Sequence, residues 1–229
     1  MFYFDSTIFL LIPAIILAFY AQFKVKSSYG KFSQVPNRRG ITGYETARRI
    51  LDANGLQHIQ IERVSGELTD HYDPRTGVVR LSGGIYGGRS VASVSVAAHE
   101  IGHAIQHATG YNALIVRNRL VPVANIASNL AWPLAIIGIL MGSLAGSRIF
   151  DLAIILYAVA VLFQLITLPV ELNASRRALQ QLDKLGIVTE EGELRQSKKM
   201  LSAAALTYVA AAAVAVANLL RLFFLRNND

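Results

Sequence analysis

Four stretches of this chain are apolar enough to be candidate membrane spans, and the residues between them are polar. The first runs from Thr7 to Phe23. The second covers about Leu120 to Ala145, with Pro122, Trp132 and Pro133 inside it, and the third about Ile149 to Val170. Only Gly146-Ser147-Arg148 separates those two, which predicts a tight antiparallel pair. The fourth, about Leu201 to Leu225, is rich in alanine, and small residues let helix backbones approach closely in lipid. Asn125, Asn129, Gln164 and Asn218 are expected to face other helices rather than lipid. A hydrocarbon core of about 30 Å takes roughly 20 helical residues, so the first run is short and calls for extension towards Met1 or local thinning of the bilayer. Asp5 precedes it, whereas Lys24, Lys26, Lys31, Arg38 and Arg39 follow it. A cleavable signal has the opposite arrangement, so this run reads as an uncleaved anchor with its amino end outside.

Between the apolar runs the period changes. Residues 24–41 are polar and basic, with Ser, Gly and Pro, and read as a linker or membrane-surface loop. Thr42-Gly43-Tyr44-Glu45 fits a capping box, which predicts a helix to about Asn54 that stops at Gly55. His58 to Val64 alternates like a strand, Asp73-Pro74-Arg75-Thr76-Gly77 reads as a turn, and Val78 to Leu81 as a second strand. Ser90 is placed to cap the next helix, which ends near Gly110. Glu171 to Leu185 suits another helix, closed by Gly186.

Composition supports a membrane protein. Of 229 residues 53% are hydrophobic and 16% charged, and the mean hydropathy of +0.39 is too high for an ordinary soluble domain. The net charge is +7, and 19 of the 22 Lys and Arg fall in two blocks, 13 in residues 24–119 and six in 171–200. Positive residues favour the cytoplasmic side, so both blocks are expected there and both termini outside, with Arg221 and Arg226 running against the rule. Anionic lipid is an expected neighbour. No basic-aromatic array of the kind that binds nucleic acid is present. Cysteine is absent, which excludes disulfides and thiolate metal sites.

The candidate chemistry lies in Val96-Ala97-Ala98-His99-Glu100-Ile101-Gly102-His103-Ala104-Ile105-Gln106-His107. Residues four apart share a helix face, so His99 and His103 can point at one metal ion. Zinc bound by two histidines takes a third protein ligand and keeps a position for water, and Glu100 is placed to take that water's proton. This pattern points to peptide-bond hydrolysis. Ala97, Ala98, Gly102 and Ala104 keep the helix slim, so neighbours can approach it closely. For the third ligand, Glu171 stands directly after an apolar run, where an ionisable side chain is costly unless it faces protein or water. It reads equally well as a solvated carboxylate at a helix start. The membrane hairpin returns the chain to the same side, so Glu171 can reach the histidines across 68 residues. His107 is the competitor, but one straight helix spreads His99 and His107 about 12 Å apart. A supporting, substrate-side or packing role suits His107 better, His71 reads as part of a surface turn, and His58 as structural.

These blocks, together with His71-Tyr72-Asp73-Pro74, Leu81-Ser82 and Pro169-Val170-Glu171-Leu172-Asn173-Ala174-Ser175-Arg176-Arg177-Ala178-Leu179, resemble the bacterial membrane-bound neutral zinc metallopeptidases, the YugP-like family. The resemblance covers nearly the whole chain. It implies a gluzincin-type site, with His99, His103 and Glu171 on Zn2+ and Glu100 as general base. The chain is more distantly similar to the HtpX-type membrane metallopeptidases. Their ligand glutamate is followed four residues later by an aspartate, a position held here by Ser175.

The expected fold is mainly α, a multi-pass membrane protein with four transmembrane helices and a small α+β zincin-like core. Its expected parts are an anchor (1–23), a cytoplasmic zincin core (24–119), a transmembrane hairpin (120–170), a cytoplasmic helical segment carrying the third ligand (171–200) and a final transmembrane helix (201–229). The expected activity is that of a zinc endopeptidase in the bacterial plasma membrane, cutting protein or peptide substrates at the cytoplasmic surface. Val78 to Ser82 is expected to be an edge strand that pairs with extended substrate. His71, Tyr72, Arg176 and Arg177 are the candidates for oxyanion support, although lipid-headgroup contact suits the two arginines better. Two rivals use the same motif. A site-2-type intramembrane protease would bury it in a span, but no Asp-Gly pair in a later span supplies its third ligand. A non-catalytic membrane scaffold would close zinc with a fourth protein ligand, and the intact Glu100 argues against that.

Overall fold

The computed structural model describes residues 6–227, so Asp5 and any extension towards Met1 lie outside the described residues. A short 3-10 helix, Ser6–Leu11, leads into α1 (Ile12–Ser33). Then come α2 (Gly43–Ala53), β1 (Gln60–Val64), β2 (His71–Asp73), β3 (Val78–Ser82) and the single turn α3 (Gly83–Tyr86). The chain closes with α4 (Val91–Ala108), α5 (Asn112–Met141), α6 (Leu144–Lys184) and α7 (Glu191–Asn227). The protein is mainly helical. Four of its helices, those within Thr7–Ser33, Asn112–Met141, Leu144–Lys184 and Glu191–Asn227, are long and apolar enough to cross a membrane. Their large apolar side chains point outwards, with Phe19 72% and Leu140 80% exposed, as lipid contact requires and water does not tolerate.

The chain divides into two compact units. The first comprises 1–21, 115–169 and 207–229. Its packing rests on small residues: Ala124, Ala127, Ala131 and Ala135 form the buried stripe of α5. A Cβ on Gly138 would lie 2.9 Å from the carbonyl oxygen of Gly146, so α5 and α6 touch backbone to backbone there. The turn between them falls at Gly142-Ser143 instead of residues 146–148, because Gly142 supplies the positive φ of +50°. The buried alanine stripe also corrects one expectation: Asn125 and Asn129 lie on the other side of α5 and are exposed.

The second unit comprises 22–114 and 170–206. Its core gathers Ile50 and Leu51 of α2, Val79 and Leu81 of β3, Ile101 of α4, Leu182 of α6 and Met200 of α7. The capping box forms as expected: Glu45 N–H donates to Thr42 Oγ1 at 3.0 Å and Thr42 N–H to Glu45 Oε2 at 2.6 Å. Residues 24–41 are no loose linker. Helix α1 continues to Ser33 because Phe32 is buried in the core, and Asn37 then clamps the turn with two hydrogen bonds to Ile41. The sheet order is β1-β3-β2, with β1 parallel and β2 antiparallel to β3. Val78 to Ser82 is therefore the central strand, not an edge. The unexpected strand is β2, which makes His71 part of a sheet instead of a surface turn.

Candidate metal centre

Ser90 starts α4 by accepting the Ser93 N–H at 3.1 Å, and the helix carries His99, Glu100 and His103 through the core. Gly102 decides what meets it: a Cβ there would lie 2.5 Å from the carbonyl oxygen of Ala174, so α4 and α6 are in backbone contact. That contact brings Glu171 to the histidines. The pattern divides residues 120–170 from 171–200, but α6 is one helix across that boundary, and its polar end carries Glu171 into the second unit.

The Nε2 atoms of His99 and His103 each lie 3.4 Å from Glu171 Oε2. A tetrahedral ion with bonds of about 2.1 Å has ligands about 3.4 Å apart, and two imidazoles with one carboxylate are a usual zinc donor set. The residues present therefore fit the ion. Glu171 is 3% exposed, while the histidine side chains keep 15% and 12%, so the site is open to solvent on their side.

The Nδ1 atoms face away and are held. His99 Nδ1 lies 3.2 Å from Ser175 Oγ, so a hydroxyl holds this ring. His103 Nδ1 lies 3.0 Å from Gln106 Oε1. Gln106 in turn donates Nε2 to Val170 O at 2.8 Å and to Asn173 Oδ1 at 3.0 Å, and Arg177 Nε donates to the same Asn173 oxygen at 2.8 Å. The Ser175 hydroxyl and the Gln106 amide fix the two rings so that Nε2 points to the centre. Sequence reading missed Gln106 and Asn173. Their signal is spacing, three residues after His103 and two after Glu171.

Glu100 is buried beside the triad. Burial pushes its carboxyl up to about 7 against the pull of His99; the charges of Glu171 and Asp70 push the same way, and a hydrogen bond from the Tyr72 backbone N–H opposes them. The β-strand at the site is thus β2. Tyr72 OH also lies 2.8 Å from His107 Nδ1, which gives the exposed His107 a partner outside the triad. Asp70, a residue sequence reading passed over, accepts from Ser82 N at 2.7 Å and Ser82 Oγ at 3.1 Å. His71 Nδ1 sits 2.8 Å from Thr69 O, and His58 is exposed, so neither joins the cluster.

Residues 7–227 match the family model described as "Putative neutral zinc metallopeptidase". The chain belongs to this family. It is 53% identical over 229 residues to "Putative membrane protease YugP" of Bacillus subtilis (strain 168), covering 97% of this chain and 98% of that one. No solved structure matches it. The family's metal is zinc, in keeping with a His-His-Glu cluster whose ligand atoms lie within 4.8 Å of one another.

Proposed function

We propose that this family member is a membrane-bound zinc endopeptidase with a gluzincin-type centre, in which His99, His103 and Glu171 hold the ion and Glu100 is the general base. The observation that carries this reading is the shared 3.4 Å approach of both Nε2 atoms to one Glu171 oxygen. Zinc, when bound, polarises the scissile carbonyl and makes a neighbouring water acidic. The chain's own groups do the rest. Glu100, next in sequence to His99, takes the proton of the attacking water as a carboxylate and delivers it to the leaving amine. The Tyr72 N–H beside that carboxylate favours its ionised form. Ser175 and Gln106 keep the imidazoles oriented. The outer strand β2 is the strand beside Glu100, so extended substrate is proposed to run along it instead of along β3.

The basic blocks support a cytoplasmic site. A surface site is favoured over an intramembrane one because α4 is not among the four helices long and apolar enough to cross a membrane. The decisive experiment measures zinc content and cleavage of an unfolded protein in parallel. Glu100→Gln is expected to keep one zinc and lose cleavage, and Glu171→Ala to lose both. Undiminished proteolysis by either variant overturns the assignment.

A further inference from the structure

Away from the histidines, a cleft of about 740 Å³ opens between the polar ends of α1 and α7. Each helix lends it one face. Lys24, Ser27, Ser28 and Lys31 follow the spacing i, i+3, i+4, i+7 on α1, and Arg195, Lys198, Lys199 and Ser202 repeat it on α7. The floor is apolar, with Phe32, Ala203 and Leu206. Among the described residues, no carboxylate lines the cleft. Among the described residues, the ion pair these five cations make is that of Arg195 with Glu191, at 3.8 Å and with both ends largely exposed. Five like charges around one cleft repel one another, and a bound anion relieves that repulsion.

The sequence also fixes where along the helices the cleft lies. Lys24 directly follows the apolar run ending at Phe23, and Lys198 and Lys199 stand just before the run that begins at Leu201. Both helices thus change from apolar to basic at the cleft, which is where a bilayer changes from acyl chain to phosphate. We propose that the cleft is a binding site for the headgroup of an anionic phospholipid. The ammonium and hydroxyl groups of the walls take the phosphate oxygens, and the apolar floor takes the glycerol end of the acyl chains. A free phosphate shares the first contact and lacks the second.

The test uses the full zinc-loaded chain, delipidated in neutral detergent, and counts retained lipid by native mass spectrometry. Phosphatidylglycerol is expected to bind in preference to phosphatidylcholine, and glycerol phosphate to compete weakly. Lys24→Gln with Lys198→Gln and Lys199→Gln is expected to lower phosphatidylglycerol affinity about tenfold or more, since each cation near a lipid surface contributes measurably. Arg49→Gln with Arg75→Gln and Lys184→Gln, exposed cations elsewhere in the same unit, removes the same charge and is expected to leave binding unchanged. If the first triple variant cannot be purified, Lys24→Gln with Lys31→Gln tests the α1 face alone. Equal binding of the two lipids, full competition by glycerol phosphate, or an equal loss in the control variant each overturns the proposal. Neither zinc nor cleavage enters the readout, so the result stands apart from the protease assignment.

Discussion

Gly102 is the residue on which the geometry turns. Any side chain there meets the Ala174 carbonyl, a backbone group that cannot swing aside. Gly102→Ala is expected to cost about 1–3 kcal/mol in stability, as overpacking does, and to weaken zinc binding by separating Glu171 from the histidines. Thermal melts with and without zinc check this. Gln106 acts one step further out. Gln106→Ala leaves His103 Nδ1 without its partner and is expected to weaken zinc by about 10–100-fold, measured by competition with a chromogenic chelator. For Glu100 the sign of the pH effect is set by burial. In its proposed role Glu100 works as a carboxylate, and a raised pKa means the carboxylate forms late as pH rises. The kcat/KM profile is therefore expected to climb with pH along a limb no higher than about 7, because a dication nearby favours the ionised form. Full activity well below pH 4 sinks the assignment of Glu100 as base.

Caps and turns govern the elements. Ser90 supplies the first-turn acceptor of α4, and Ser90→Ala is expected to lower stability by about 1 kcal/mol. The turn between β2 and β3 hangs on Asp73, which accepts from Arg75 N, Thr76 Oγ1 and Arg80 Nη1. The Arg75 N–H bond, with Thr76 next, lowers its carboxyl from 3.8 to about 2. A depressed carboxyl contributes its stability fully above the unfolded value and loses it as pH falls towards the folded one. The melting-temperature gap between wild type and Asp73→Asn is expected to be constant above pH 5 and to narrow below pH 4. Helix α6 shows a limit of pattern reading. Its apolar and polar parts look like two elements because hydropathy changes sharply near Val170, yet no backbone signal ends a helix there. Pro169 removes one N–H bond without breaking it.

At the scale of the whole molecule, the charge asymmetry makes a topological prediction. The chain has no cysteine, so introduced thiols report cleanly. Ser143→Cys, in the α5–α6 turn, is expected to react with an impermeant maleimide on intact cells. Gln57→Cys, in the second unit, is expected to react only after permeabilisation. Chelation tests how far the ion holds the fold. Removing zinc is expected to lower the melting temperature of the wild type and to leave Glu171→Ala unchanged, because a ligand stabilises only the state that binds it.

The sequence alone determined what depends on neighbours along the chain. Apolar run length set the four candidate spans, the Thr42 and Ser90 caps set two helix starts, and four-residue spacing put two imidazoles on one face. Glu171 was legible as a candidate because a charge beside an apolar run needs a reason. Tertiary structure decided everything that depends on contact at a distance. It moved β3 to the centre of the sheet and put β2 beside Glu100, because strand order is a matter of pairing and leaves no trace in alternation. It also chose Glu171 over His107 for the triad: a straight helix holds His107 too far along its axis, and the side-chain-free surface of Gly102 lets a second helix bring its carboxylate within 3.4 Å.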